Sequence, residues 1–296
     1  MTDARLSFLA SFITAGTGML WGFYWLPVRR VEEAGLSGAW GSLVIVALAA
    51  LLLMPVAFAR RAHLRSADPG ALAAVALGGG AFVLYSVGLV YGRVAIVVLL
   101  FFLTPVWSVL LARFVLGWHT PRLRLMAIGL GLCGLAVMLS AGGTVPWPRS
   151  TGEWCGLVSG LLWSLATTGI RLRPAMAPPE ATFIFACGAC VMAAIAAPLF
   201  APWTPGLLTQ ALPSAFGWAL AAAGLWWALS MAGLMWATAR LEPARVGILL
   251  MSEVLVAAVS AAWLAGETLN SVELAGGALV LCAGLFEVWP VRKPRG

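Results

Sequence analysis

The sequence predicts an all-α integral membrane protein. It has ten transmembrane helices arranged as two inverted five-helix repeats, residues 1–145 and 146–296, with both termini cytoplasmic. Three observations lead there. The chain is 62% hydrophobic and 10% charged, with mean hydropathy +0.97, whereas soluble domains carry about 25% charged residues. Its apolar runs recur at the roughly 20-residue length that crosses a bilayer. And a tryptophan-centred hexapeptide in the first half, Thr17–Gly22, returns in the second as Ser159–Ser164.

The spans follow in order. The first is Leu6–Leu26, ending near Pro27. Its apolar run exceeds that of a removable signal and is read as a span. The second, Ser37–Ala59, is closed by Arg60 and Arg61. The third, Gly70–Val90, opens behind the helix-start signal Asp68-Pro69. The fourth is Val94–Leu116 and the fifth Leu123–Ala141. A Gly/Pro/Trp-rich loop then divides the chain. Trp154–Ile170, Glu180–Phe200, Pro213–Ala237, Ala244–Ala265 and Val272–Trp289 complete the second half. The period-two alternation of a membrane barrel is not seen.

Orientation follows from the cations. With the N-terminus inside, only Arg29, Arg30, Arg93 and Arg149 of the 18 Lys and Arg residues fall outside, as the positive-inside rule requires. The same placement disposes of nucleic acid as a partner despite the net charge of +7. The arginines mark span ends and do not gather on one basic face.

The repeat sets the second copy upside down, because each copy holds an odd number of spans. Trp21 and Trp163 are 142 residues apart, as are Arg29 and Arg171. Later matches, such as Cys133 with Cys282, are 149 apart, a change that fits a longer loop after Phe200. Inverted repeats build transporters with a site near the midplane.

The fourth and ninth spans form the expected centre. Each ends at a glycine, Gly117 and Gly266, and that register sets Thr104 opposite Glu253 and Pro105 opposite Val254. A charged side chain at mid-span costs about 2.5–3.5 kcal/mol on insertion scales, so Glu253 is a functional candidate by default. It can bind a substrate ammonium or take up a proton. The alternative is a structural carboxylate bonded across helices. Trp21 and Trp163 are expected to line the cavity, where an aromatic face can stack or hold a cation; packing is the alternative. Tyr85, Ser86, Trp227, Ser230 and Thr104 are further substrate-binding candidates, with helix–helix hydrogen bonding as their alternative. Pro105 is a hinge candidate in span four. Gly78, Gly79 and Gly80 offer either helix flexibility or tight packing. Cys187-x-x-Cys190 lacks the partners of a redox or zinc site, so neither metal nor cofactor is expected.

The Gly18-x-x-Trp21-Gly22 motif of span one, Thr104-Pro105-Val106 of span four and the Gly266-Glu267 closure of span nine resemble the drug/metabolite transporter superfamily, in its ten-helix EamA-type branch. The sequence departs from that pattern at Gly117-Trp118, where the family usually has Gly-Glu, and at Glu253-Val254, where many relatives have proline. The resemblance implies small-molecule transport. It is nearest to bacterial exporters of aromatic and neutral amino acids, working by alternating access in the inner membrane with protons as a coupling partner. Drug or other metabolite export is the alternative substrate class. An enzyme would need converging His, Ser or acidic groups that these spans lack.

Overall fold

The computed structural model describes residues 3–117, 122–141, 147–174, 176–238, 240–241 and 243–288, and among these every regular element is helical. In chain order the helices are α1 Asp3–Trp21, α2 Trp25–Glu33, α3 Ala39–Ala59, α4 Arg61–Ser66, α5 Pro69–Tyr91, α6 Val94–Phe101, α7 Thr104–Phe114 and α8 Arg122–Ser140. Then come α9 Thr151–Arg171, α10 Pro178–Phe200, α11 Leu207–Ala221, a π-helical stretch Ala222–Ser230, α12 Met231–Thr238, α13 Pro243–Leu250, α14 Ser252–Leu264 and α15 Ser271–Val288.

Six of these rods are long and apolar enough to cross a membrane: Arg5–Glu33, Ala39–Ala59, Pro69–Tyr91, Val94–Phe114, Pro178–Phe200 and Leu207–Ala237. Leu125–Ser140, Ser252–Leu264 and Ser271–Phe286 are shorter apolar helices. The chain is a multi-pass membrane protein. Its outward faces carry Phe8, Phe58, Phe114, Leu199 and Trp263 largely exposed, side chains that lipid accommodates better than water.

Local chemistry sets the helix ends. The Asp68 carboxylate accepts from Ala71 N with Pro69 in the first turn of α5, satisfying one of the donors a helix start leaves free. Ser150 does the same for α9 through Glu153 N. Asn270 and Glu273 cap α15 reciprocally, each side chain accepting the other's backbone N–H at 2.8 and 2.9 Å, a capping box. Gly117 and Gly266 sit at φ +66° and +65°, the left-handed conformation that a helix C-terminus needs and that glycine adopts without strain.

The helices differ from the sequence expectation at three places. Span one does not stop near Pro27. Its helix turns at Gly22–Tyr24 and continues as α2 to Glu33, since proline is tolerated in a first helical turn. Span eight begins at Leu207, with Pro213 inside α11. And span nine is as broken as span four, although only span four holds a proline. α6 gives way to α7 across Phe102–Leu103, and α13 to α14 at Met251.

The core gathers around α5, α9 and α10. α5 packs on both others, α3 on α10, and α8 on α15. α6 lies between α9 and α14, and α1 lies against α12, α13 and α14. Gly78, Gly79 and Gly80 lie in unbroken helix. A methyl group at Gly78 would meet the Trp163 ring at 3.0 Å and Phe185 at 3.1 Å, and one at Gly80 would meet Met192 at 3.2 Å. At Gly79 the neighbour is the backbone of Phe185 and Ala189. Of their two sequence readings, the geometry supports tight packing.

Candidate functional site in the aromatic centre

Two breaks bring the site together. In span four, Pro105 has no N–H to offer Phe101 O, and the Thr104 hydroxyl takes that carbonyl instead at 2.6 Å. In span nine, the Ser252 hydroxyl donates to Leu249 O at 2.8 Å and lies 3.2 Å from Ala15 O on α1. A side chain thus replaces the lost ladder bond in each case, as a buried backbone carbonyl requires.

Small residues from the facing helices reach both breaks. A methyl at Gly18 would lie 3.2 Å from Leu250 Cα and O, and one at Gly160 would lie 3.3 Å from Phe101 Cα and 2.8 Å from its O. One turn on, a methyl at Gly22 would lie 2.9 Å from the Glu253 carbonyl oxygen, while the Ser164 hydroxyl donates to the Thr104 carbonyl at 2.8 Å. Close backbone approach of this kind is what small residues at i and i+4 permit in membranes.

The Glu253 side chain lies in the first turn of α14, just past the break, and is buried. The Tyr85 hydroxyl donates to its Oε1 at 2.9 Å. A helix N-terminus carries partial positive charge, which favours a carboxylate there. The break therefore compensates part of the burial of Glu253.

Aromatic rings pack around this pair. Phe82 is the hub, with ring centroids 4.9 Å from Trp21, 5.1 Å from Trp163, 5.3 Å from Phe185, 5.5 Å from Phe101 and 6.4 Å from Trp227. These are edge-on contacts, the arrangement that ring quadrupoles prefer. Trp21 and Trp163, equivalent in the repeat, flank Phe82.

A second polar chain runs beside the first. Trp227 Nε1 donates to the Tyr24 hydroxyl at 2.8 Å, and Tyr24 Oη lies 3.1 Å from Ser86 Oγ, which also reaches Phe82 O at 2.9 Å. The indole can only donate, so the Tyr24 oxygen accepts from it and the Tyr24 O–H is left for Ser86. Trp21 Nε1 donates to Ser230 at 2.9 Å, and Trp226 Nε1 to Leu20 O at 2.8 Å. Trp226 and Trp227 are adjacent in sequence yet both turn toward α1 and α2, within the π-helical stretch. Such stretches are frequent at functional sites.

Tyr85, Ser86, Trp21, Trp227, Ser230 and Glu253 thus share one buried centre, with Trp163 half-buried at its edge. Thr104 stands apart, and its hydroxyl holds the span-four break. Thr167 donates back to its own helix. Sequence reasoning passed over Phe82, Phe101, Phe185 and Trp226, and gave Tyr24 little weight. The centre also differs from an open hollow. Tyr24, Tyr85 and Trp227 are at most 1% exposed, and the rings fill the space between the halves. Among the described residues no three His, Cys, Asp or Glu side chains converge as a metal site.

Ion pairs tie the ends. At the mouth beyond α5 and α14, Arg29 meets Glu267 at 2.8 Å, and Arg93 meets Glu273. Arg30 pairs with Glu33 on the same side. Arg29, Arg30 and Arg93 are therefore each matched by a carboxylate. The hydrogen bond to Glu273 raises the Arg93 pKa above its ordinary value. At the other end, Arg60–Glu180 and Arg173–Asp68 are longer, at 3.4 Å each.

Comparison with known proteins finds a family match over part of the chain and a likeness of fold. Residues 8–140 match the EamA-like transporter family, of the drug/metabolite transporter superfamily. No curated protein matches the sequence. A crystal structure described only as that of a protein is similar in fold, with TM-score 0.57 and 17% identity over 95% of this chain and 98% of its own. At that identity the likeness is one of fold.

Proposed function

We propose that the chain is a secondary transporter of the EamA type that moves small molecules by alternating access between two inverted five-helix halves. The family match over α1–α8 supports transport. The observation that carries the rest is the pairing of repeat-related contacts. Shifting Gly18 by 142 residues gives Gly160, and shifting Phe101 by 149 gives Leu250; these four residues form two matching contacts. Gly22 and Ser164 keep the same relation to the Glu253 and Thr104 carbonyls. The remaining rods bring the six long ones to ten spans: α8, α9 and α15 have 19, 21 and 18 residues, about 27–31 Å at 1.5 Å per residue, close to the bilayer core, and α13 with α14 makes the tenth across the break at Met251. Both termini are then cytoplasmic and the membrane is the inner one.

The substrate carries an amine and an aromatic or apolar body. Glu253 holds the ammonium, or the proton exchanged for it, and the rings around Phe82 hold the body. Export of neutral and aromatic amino acids fits this site if the indole and hydroxyl donors of Trp21, Trp227, Tyr24 and Ser86 turn to the carboxylate. A second reading rests on the charge of the centre. Glu253 is an acid, and among the described residues no Arg or Lys is buried, which favours a lipophilic amine without a carboxylate. Purified protein in proteoliposomes separates the two: flux of tryptophan and of tryptamine is measured with and without a pH gradient. Transport of tryptophan supports the amino-acid reading, transport of tryptamine alone supports the amine, and failure of counterflow for either removes this substrate class.

A further inference from the structure

The ion pairs at the Arg29 mouth do more than neutralise stray cations. Arg29 donates through Nε to Leu89 O at 3.0 Å and through Nη2 to Gly92 O at 2.9 Å, which satisfies the carbonyl end of α5. The same Nη2 donates to Glu267 Oε1 at 2.8 Å, and that oxygen accepts Val94 N at 3.1 Å, at the start of α6. A cation thus sits at a helix C-terminus and an anion at a helix N-terminus, each where the dipole favours it, and each paired with the other. Arg93 adds bonds to Glu273 and to Thr268 O. Both arginines come from the first half and both carboxylates from the second. Beneath them the Arg29 guanidinium lies over the Trp25 ring, 5.4 Å from its centroid, and Trp25 Nε1 donates to Ser260 at 2.9 Å.

The related position at the opposite mouth differs. Arg171 is the repeat partner of Arg29, but the register that sets Gly117 against Gly266 sets Trp118, which lies outside the described residues, against Glu267. Arg171 is exposed and forms no ion pair among the described residues, and the two pairs at that end are longer, with more exposed arginines, although the Glu180 carboxylate is itself buried.

We infer that Arg29 and Arg93, with Glu267 and Glu273, form a latch that holds the outer mouth shut. Among the described residues the repeat-related inner position has no such counterpart, and the pairs joining the halves at that end are longer at 3.4 Å, so the resting equilibrium is tilted toward the outer-closed state. This rests on the transporter reading above. Opening the outer mouth separates the two halves there and must break these four-residue contacts. Two ion pairs whose carboxylates, Glu267 and Glu273, are 12% and 10% exposed are costly to separate, because a largely buried charge left without its partner loses both solvent and counter-ion.

The test reads accessibility and needs no substrate. In a background without the five native cysteines, Ser260→Cys reports from beneath the latch. Ser260 is buried and the exchange is close to isosteric. Right-side-out vesicles are treated with a membrane-impermeant maleimide. The latch predicts slow labelling with Arg29 and Glu267 intact. Labelling should be at least tenfold faster in Arg29→Gln or Glu267→Gln, and no faster again in the double variant, because the two side chains act as one contact. Arg30→Gln, at the exposed neighbouring pair, should change nothing. Unchanged labelling in both single variants, or additive effects in the double, overturns the latch. Should Arg29→Gln fail to fold, Arg93→Gln at the rim decides by the same criterion. Faster labelling without flux of any substrate would instead count against the transporter reading and leave the latch standing.

Discussion

Replacing Gly160 by alanine tests whether the two helix breaks are set by close approach of the facing helices. The added methyl would sit 2.8 Å from Phe101 O, 3.3 Å from Leu100 O and 3.3 Å from Phe101 Cα. All three are backbone atoms, so no side chain can swing away. Overpacking of this kind costs about 1–3 kcal/mol, offset by about 1 kcal/mol of better helix propensity. A net loss of up to about 2 kcal/mol is expected. Gly16, also inside a helix, has nothing within 4 Å of an added methyl, so Gly16→Ala keeps the propensity gain alone. The two variants should therefore differ by the overpacking cost, about 1–3 kcal/mol, with Gly18→Ala on the side of Gly160→Ala because Leu250 Cα and O lie 3.2 Å away. Equilibrium unfolding in mixed detergent micelles measures the difference. Equal stability of Gly160→Ala and Gly16→Ala would refute the argument that glycine at these positions is required by contact.

Other consequences follow from the same geometry. Glu253→Gln keeps a hydrogen-bond acceptor for Tyr85 and should fold, yet abolish stimulation of proteoliposome flux by a pH gradient; undiminished stimulation would remove its proton role. Tyr85→Phe strips the hydroxyl that donates to Glu253 and should destabilise the protein by about 1–3 kcal/mol, the cost of an unpaired buried polar group, measured in the same micelle assay. Trp21→Phe keeps the ring near Phe82 but drops the bond to Ser230, so about 1 kcal/mol of stability should go while bound-substrate affinity changes by less than in Trp21→Ala. Asp68→Ala removes the α5 cap far from the aromatic centre and should cost about 0.5–2 kcal/mol with KM unchanged.

Much of the fold was legible because apolar length and charge position act directly on how a chain enters a bilayer. The Gly117–Gly266 register is a case in point. It was read from sequence alone, and both glycines prove to be left-handed caps with a break at corresponding positions upstream. Glu253 was visible because a carboxylate in an apolar run has few harmless explanations. The rest was hidden for identifiable reasons. Phe82, Phe101 and Phe185 carry the centre, but a phenylalanine in a 62% hydrophobic chain announces nothing. The break at Met251 has no proline to mark it, since Ser252 and the glycine face of α1 supply the partners that make it tolerable. Gly78–Gly80 left flexibility and tight packing both open because the sequence does not show the Trp163 and Phe185 rings that fill the space beside Gly78. The Glu267 latch was overlooked because its partner, Arg29, lies 238 residues away.

The account depends on two halves inserted with opposite polarity. Arg30 and Leu172 are repeat partners, 142 residues apart, and both are exposed. In intact cells lacking the native cysteines, Arg30→Cys should react with an impermeant maleimide and Leu172→Cys should react only after permeabilisation. Labelling of both from the same side would contradict the inverted architecture and the transport cycle built on it.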